Sequence, residues 1–510
     1  MTHLLVIAIL ATGALRGLVD EPLAGAGWVR QHPALALLAS LLPFAGLLLL
    51  HGAVSWACVR RLDRRGDPRA LARHERAAAL VRASAAPAHA FAVLAVGWLD
   101  LVRGWCGDLV ALDELVAAAP ALGLLMASWA MTEPVERRVR EALIFRRLDE
   151  GLSIPPMPGA WGWWWGVVRQ QLLFAAAPVV VVLAWSELVG MARDGLWERS
   201  LAANGWPAAP PAWTGVAPEW LLDRDVLGYG SAALQLAGVV AILAMLPVAL
   251  RYLWDTAPLG PGALRDRLLG LCSRYGVRVR GILVWRTHGA MINGAVVGFL
   301  PRLRYIILTD ALLESLPADQ VEAVAAHEIA HVRHHHIPWL AGAMLASALC
   351  IGSGLSLVAR AAGLGPVTQG WTPVALLVAA FGVGLLVFGW ASRRFEWQAD
   401  AFAAGHMSAS GFSGEGLSAG PAVSEHGAAS MAGALRAVAM INGFPPDRFT
   451  WRHGSISDRL RRLNRGVGLP LDRLPETRSA RAAKLVIGAG LLAGLAITAF
   501  ETAASSAFGA

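Results

Sequence analysis

Ten residues starting at His327, "HEIAHVRHHH", hold five histidines and one glutamate. His327 and His331 are four apart, about one helical turn, so both imidazoles leave the same face of a helix. Two neutral imidazoles at that spacing can hold Zn²⁺. Zinc brings the pKa of water toward about 7, and Glu328, beside the first histidine, can take the proton as general base. The chemistry would be metal-assisted hydrolysis. The same letters could also form a polar helix face near a membrane. A catalytic zinc usually takes three protein ligands and keeps one position open. A third histidine six residues after His331 is excluded, because that position is Ile337. The best candidate is Glu396 in "SRRFEWQAD", with Asp400 one turn later able to orient a ligand. His334, His335 and His336 trail toward Pro338 and read as polar residues at a membrane interface.

These residues need elements to hold them. "VRVRGILVW" and "RYIILTD" read as strands, with "AVVGF" between them. "SLPADQVEAVAAHEIAHVRHHH" reads as a helix: Pro317 suits its first turn, and Asp319 and Glu322 suit the positive end of its dipole. Pro338 interrupts that pattern. "RRFEWQADAFAAGH", "AASMAGALRAVAMI" and "SISDRLRRLNR" read as further helices, and the Gly/Ser-rich stretch 408–427 as a mobile loop.

The composition says where such a domain would sit. The chain has 510 residues, 56% hydrophobic and 16% charged, against about 25% charged in a soluble globule. The fold class expected is mainly α: a polytopic membrane protein with a cytoplasmic α+β peptidase-like domain. A span needs roughly 20 mostly apolar residues. Nine candidates lie near 3–19, 34–58, 86–103, 117–132, 167–191, 230–252, 339–362, 373–391 and 483–502. Lys484 is the single lysine; the net charge of +8 is arginine, clustered in loops with no nucleic-acid motif, so nucleic acid is not an expected partner. The four cysteines are scattered and read as small packing residues. Arginine-rich "RRLDRRGDPRALARHER" and "ERRVREALIFRR" should be cytoplasmic. The alternating loops carry Asp108, Asp113, Glu114, Asp194, Glu219 and Asp225 and should face out. The N-terminus is then inside and the tail outside. The expected organisation is a membrane region of about six helices over 1–252, peptidase halves at 253–338 and 392–482 around a membrane hairpin at 339–391, and a last helix with its tail at 483–510.

"NGAVVG", "HEIAH", "SRRFEWQAD" and H-x5-R, in this order and with a membrane hairpin between the second and third, resemble the integral-membrane gluzincins: HtpX-type proteases and CAAX prenyl endopeptidases. The resemblance covers roughly 275–470. It implies one zinc per chain on His327, His331 and Glu396, with Glu328 as base. It implies further that Asn293 and Gly298 bound an edge strand that pairs with substrate backbone, that His453 donates to the oxyanion, and that Arg459 pairs with Asp400. Two departures stand out: Gly294 follows the asparagine where the family has alanine, and His453-Gly454-Ser455 replaces "HPP".

The function expected is zinc-dependent endopeptidase action on membrane-protein or peptide substrates at the cytoplasmic face. The alternatives are CAAX-type trimming of lipidated C-termini and a non-enzymatic receptor or scaffold with a vestigial site. An intramembrane protease of the site-two type is disfavoured, since the polar "ESLPADQVEAV" precedes the motif. The near-absence of lysine with abundant Ala, Arg and Gly points to a bacterial inner membrane and away from prenyl substrates. Oligomeric state is not legible.

Overall fold

The structure is a computed structural model that describes residues 2–16, 22–65, 68–149, 158–204, 208, 211–216, 218–287, 291–361, 372–410 and 422–507. Most of the Gly/Ser stretch 408–427 and the link at 362–371 within the expected membrane hairpin fall outside these residues. The chain divides into two compact units, Met1–Trp254 and Asp255–Ala510.

Eight helices among the described residues are long and apolar enough to cross a membrane: Pro33–Arg64, Arg69–Val96, Leu112–Ala142, Ala160–Ala203, Val226–Leu253, His336–Val358, Val374–Ala409 and Pro475–Phe500. The remaining apolar segment is the shorter helix Thr2–Arg16. In the first unit, Val6, Ile9 and Leu10 of that helix are buried among Phe44, Val81, Leu124, Leu125 and Val168. The span expected at 86–103 is divided at Gly97, whose φ of 88° ends one helix and starts another. Only glycine adopts that conformation readily, and a Cβ there would meet Val29 Cγ2 at 2.9 Å. The crossing segment therefore begins earlier, at Arg69. Asp113 and Glu114 are buried but paired, lying 2.6 and 2.8 Å from Arg103, as buried carboxylates must be.

In the second unit, four strands form a sheet in the order β1-β2-β4-β3: β1 is Thr256–Pro258, β2 Gly281–Trp285, β3 Gly294–Val297 and β4 Tyr305–Thr309. β2 and β4 run parallel, and β3 is antiparallel to β4 with Val296 opposite Ile306. β4 is buried along its whole length, which explains its unbroken apolar run. β3 is an edge: among the described residues no strand pairs with its far side. A strand forms within each expected stretch, but β2 takes only the apolar half of "VRVRGILVW" and leaves the alternating residues 277–280 outside it; β1 is too short to be read from sequence.

The motif helix, Ala318–Arg333, packs Val321, Val324 and Ile329 into a core shared with Ile306, Leu308 and Leu312. Pro317 stands just before its first turn and Asp319 within it. The helix stops at Arg333, and a new one, His336–Ala361, starts with Pro338 in its first turn, where proline is tolerated. The turn between them uses His335 at φ 56°. Glu396 and Asp400 lie on one continuous helix, Thr372–Ser410, which carries both the apolar span and the charged motif through residue 391. Phe395, Ala391 and Ala343 pack against Ala480, Ala483 and Ile487 of the last helix, Pro475–Ala507.

Candidate metal centre

On the motif helix, His327 and His331 turn their Nε2 atoms toward each other at 3.2 Å. Glu396 approaches from the long helix, with Oε2 3.5 Å from His327 Nε2 and Oε1 3.7 Å from His331 Nε2. One ligand atom from each of the three lies within 4.8 Å of the others. Zinc bonds of about 2.0–2.2 Å at tetrahedral angles set neighbouring ligand atoms about 3.3–3.6 Å apart. The three side chains lie close to that spacing, with a different oxygen of Glu396 facing each histidine. A donor set of two imidazoles and one carboxylate is also what a hydrolytic zinc takes.

Charge is arranged around this triad in layers. Asp400, one turn beyond Glu396, brings Oδ1 to 3.0 Å from His327 Nδ1. The two atoms do not form a well-made hydrogen bond. Arg459 grips Asp400 with two bonds, Nε to Oδ2 at 2.7 Å and Nη2 to Oδ1 at 2.6 Å, and its Nη1 lies 3.4 Å from Glu396 Oε2. This fork-to-carboxylate geometry is the strong form of a charged hydrogen bond. His453 is half exposed, with Nδ1 3.0 Å from Glu396 Oε1.

These neighbours set protonation. Burial alone would lower the pKa of His327, but Asp400 and Glu396 outweigh it and raise it to about 10. For His331 burial wins, aided by His327 and Arg459 against Glu396, and the pKa falls to about 4. A metal ion at these nitrogens competes with protons, since an imidazole must offer a bare ring nitrogen to bind it. Burial raises Glu328 to about 6; His327 lowers it and Glu396 raises it. Burial opposes the charge on Arg459, yet Asp400 and Glu396 beside it raise its pKa.

The two departures from the family pattern have local causes. A Cβ at Gly294 would stand 2.9 Å from Val324 Cγ1 and 3.4 Å from Leu308 Cδ2, so alanine there would crowd β3 against the motif helix. Gly454 has φ 76°, and Ser455 caps the helix Ile456–Gly466 by accepting from Asp458 N at 3.2 Å. The cap starts the helix that carries Arg459. Thr450 and Gly454 exchange backbone bonds of 2.9 and 3.1 Å, closing the turn that holds His453.

On the substrate side, Glu328 Oε2 accepts a long bond from Val296 N at 3.4 Å, so the candidate base lies against the edge strand. Asn293 is fixed through its backbone to Thr309, with bonds of 3.0 Å each way. Gly298 has φ 105°, and its carbonyl accepts from Arg304 Nε at 2.9 Å. Asn442 clamps the preceding residue: its Nδ2 donates to Ile292 O at 2.9 Å, and its Oδ1 accepts from Ile292 N at 3.0 Å. Sequence reading missed Asn442, and no short-range pattern links positions 150 apart. His336, expected at a membrane interface, is fully buried within the protein and begins a helix long and apolar enough to cross a membrane. His406, away from the centre, is taken by Glu322 at 2.9 Å and Tyr275 at 3.1 Å.

Residues 283–465 match the family model of Peptidase family M48. Among solved structures, the crystal structure of S. mikatae Ste24p aligns with 84% of this chain and 98% of its own, at 13% identity and a TM-score of 0.33. That likeness is too low to bear on fold or function. No curated protein matches the chain. With a matched peptidase region, a His-His-Glu cluster inside it and eight helices fit to cross a membrane, the chain carries a Peptidase family M48 domain and is a multi-pass membrane metallopeptidase.

Proposed function

We propose that the protein is a zinc-dependent endopeptidase that cuts membrane or membrane-associated proteins at the cytoplasmic face of a bacterial inner membrane. The observation that carries this reading is the convergence of His327, His331 and Glu396 on one point. Bound there, zinc would supply Lewis acidity, acidifying water and polarising a carbonyl oxygen. Glu328 takes the proton from the attacking water and delivers it to the leaving amine. Its raised pKa suits both steps, because a base with a pKa near 6 is ionised at neutral pH and still returns the proton readily. Asp400, held by Arg459, orients His327. His453 donates to the oxygen that becomes negative in the transition state. Residues Asn293 to Gly298 offer a strand edge that no other strand among the described residues pairs with, to which an extended peptide adds by β-augmentation. Arginine-rich flanks of the spans support the cytoplasmic orientation.

Purified protein should hold about one zinc per chain. Glu328→Gln should keep that zinc and lose cleavage by about 10²–10⁴-fold, since it removes the base and no ligand. Retained turnover would reassign Glu328, and full activity in metal-free protein would end the zinc mechanism. A proteomic comparison of cells carrying wild type and Glu328→Gln then identifies substrates. General accumulation of membrane proteins supports the broad reading; accumulation confined to lipidated C-termini would replace it with a processing role.

A further inference from the structure

His331 has two ring nitrogens, and only one faces the candidate metal position. Its Nε2 points to His327. Its Nδ1 lies 2.9 Å from Nδ1 of His336, and Nε2 of His336 lies 2.9 Å from Oε1 of Gln398. We propose that His336 and Gln398 are positioning residues that lock His331 in the tautomer whose Nε2 lone pair is free for a metal ion. The proposal rests on the reading of His327, His331 and Glu396 as ligands.

The direction of the chain of bonds is set at its far end. An amide oxygen only accepts, so His336 Nε2 must carry the hydrogen. A neutral His336 then has a lone pair on Nδ1. His331 can bond to it only by donating from its own Nδ1, which leaves Nε2 bare. Reversed, the relay would put a hydrogen on His331 Nε2 and close the site to metal. The relay is also held rigidly. His336 is fully buried, and its ring stacks on Phe395 with centroids 4.4 Å apart and planes within 2°. Phe395 directly precedes Glu396, so the residue beside one ligand fixes the ring that orients another. The Nδ1–Nδ1 distance of 2.9 Å is that of a hydrogen bond, and is shorter than the separation of two nitrogens sharing one zinc, about 3.3 Å.

Backbone geometry explains how this contact arises. On an unbroken helix, a residue five beyond His331 would sit about 140° around the axis from it. The motif helix ends at Arg333 instead, and His335 turns through the left-handed region. The new helix starts at His336 and returns its ring to His331.

The test is zinc affinity of the full-length protein in detergent, measured by chelator competition, beside the melting temperature of the metal-free form. His336→Leu should weaken zinc binding about 10–100-fold, and Gln398→Leu should fall at the low end of that range. Gln398→Glu keeps an acceptor oxygen and should bind within about threefold of wild type. The double variant His336→Leu/Gln398→Leu should be no worse than His336→Leu alone, since both act through one relay. A merely structural role would lower the metal-free melting temperature and leave zinc affinity unchanged; that result in Gln398→Leu overturns the proposal even if His336→Leu fails to fold. A second zinc per wild-type chain that disappears in His336→Leu also overturns it, by making His336 a ligand. Wild type without tight zinc would remove the ligand reading itself, whereas wild type with one zinc and indifferent relay variants removes only the relay.

Discussion

At the scale of single residues, the centre depends on one cation outside the ligand set. Arg459 is buried between Asp400 and Glu396, which carry two formal negative charges in a region closed to water. Removing one member of a buried charge pair leaves the other uncompensated, at a cost of about 3–5 kcal/mol. Arg459→Met should therefore lower stability by about that amount in chemical denaturation. A loss under about 1 kcal/mol would mean that water reaches Asp400. Arg459→Lys should recover only part, because an ammonium cannot make both bonds of the fork. Much of this residue-scale account is legible in sequence. His327 and His331 are one helical turn apart, as are Glu396 and Asp400, and a helix brings each pair onto one face. His336 is not legible that way, because its contact with His331 depends on a left-handed turn at His335, a conformation uncommon outside glycine. Gln398 shares the difficulty, since its role appears only once His336 is in place.

At the scale of elements, the edge strand and the motif helix are fitted to each other at Gly294. Adding a methyl group there forces Val324 or β3 to move. Gly294→Ala should cost about 1–3 kcal/mol, the usual penalty for overpacking, and Val324→Ala should relieve part of it. A double-mutant cycle on melting temperature measures the coupling; strict additivity would show that the two residues do not touch. Ser455→Ala removes the cap of the helix that carries Arg459 and should cost about 0.5–2 kcal/mol. The strands around Gly294 were legible from alternation and apolar runs. The crowding there was not, because it comes from a side chain on another element. The expected boundary between span and peptidase segment near residue 391 has no structural break, since the helix Thr372–Ser410 runs straight through it. Hydropathy changes there while the backbone does not.

At the scale of the whole molecule, the proposed topology turns on the first helix. Thr2–Arg16 has 15 residues, about 22 Å of helix, against a hydrocarbon core of about 30 Å. The arginine-rich stretch after the next span sets the orientation of all the later spans. A reporter fused after Ala510 should therefore lie outside the cytoplasm. If the first helix crosses, a tag at the N-terminus should lie inside; an external tag would mean eight crossings. Composition made the polytopic class plain, and the arginine pattern gave an orientation, but the break at Gly97 shows how a single left-handed residue moves a span that hydropathy alone would centre elsewhere. Neither test touches the central claim that two imidazoles from one helix and a carboxylate from another share one ion. X-ray absorption at the zinc edge of the purified, loaded protein tests it most directly. The account predicts one zinc with two imidazoles and otherwise oxygen in its coordination shell; a third imidazole, or sulfur from one of the cysteines, would contradict it.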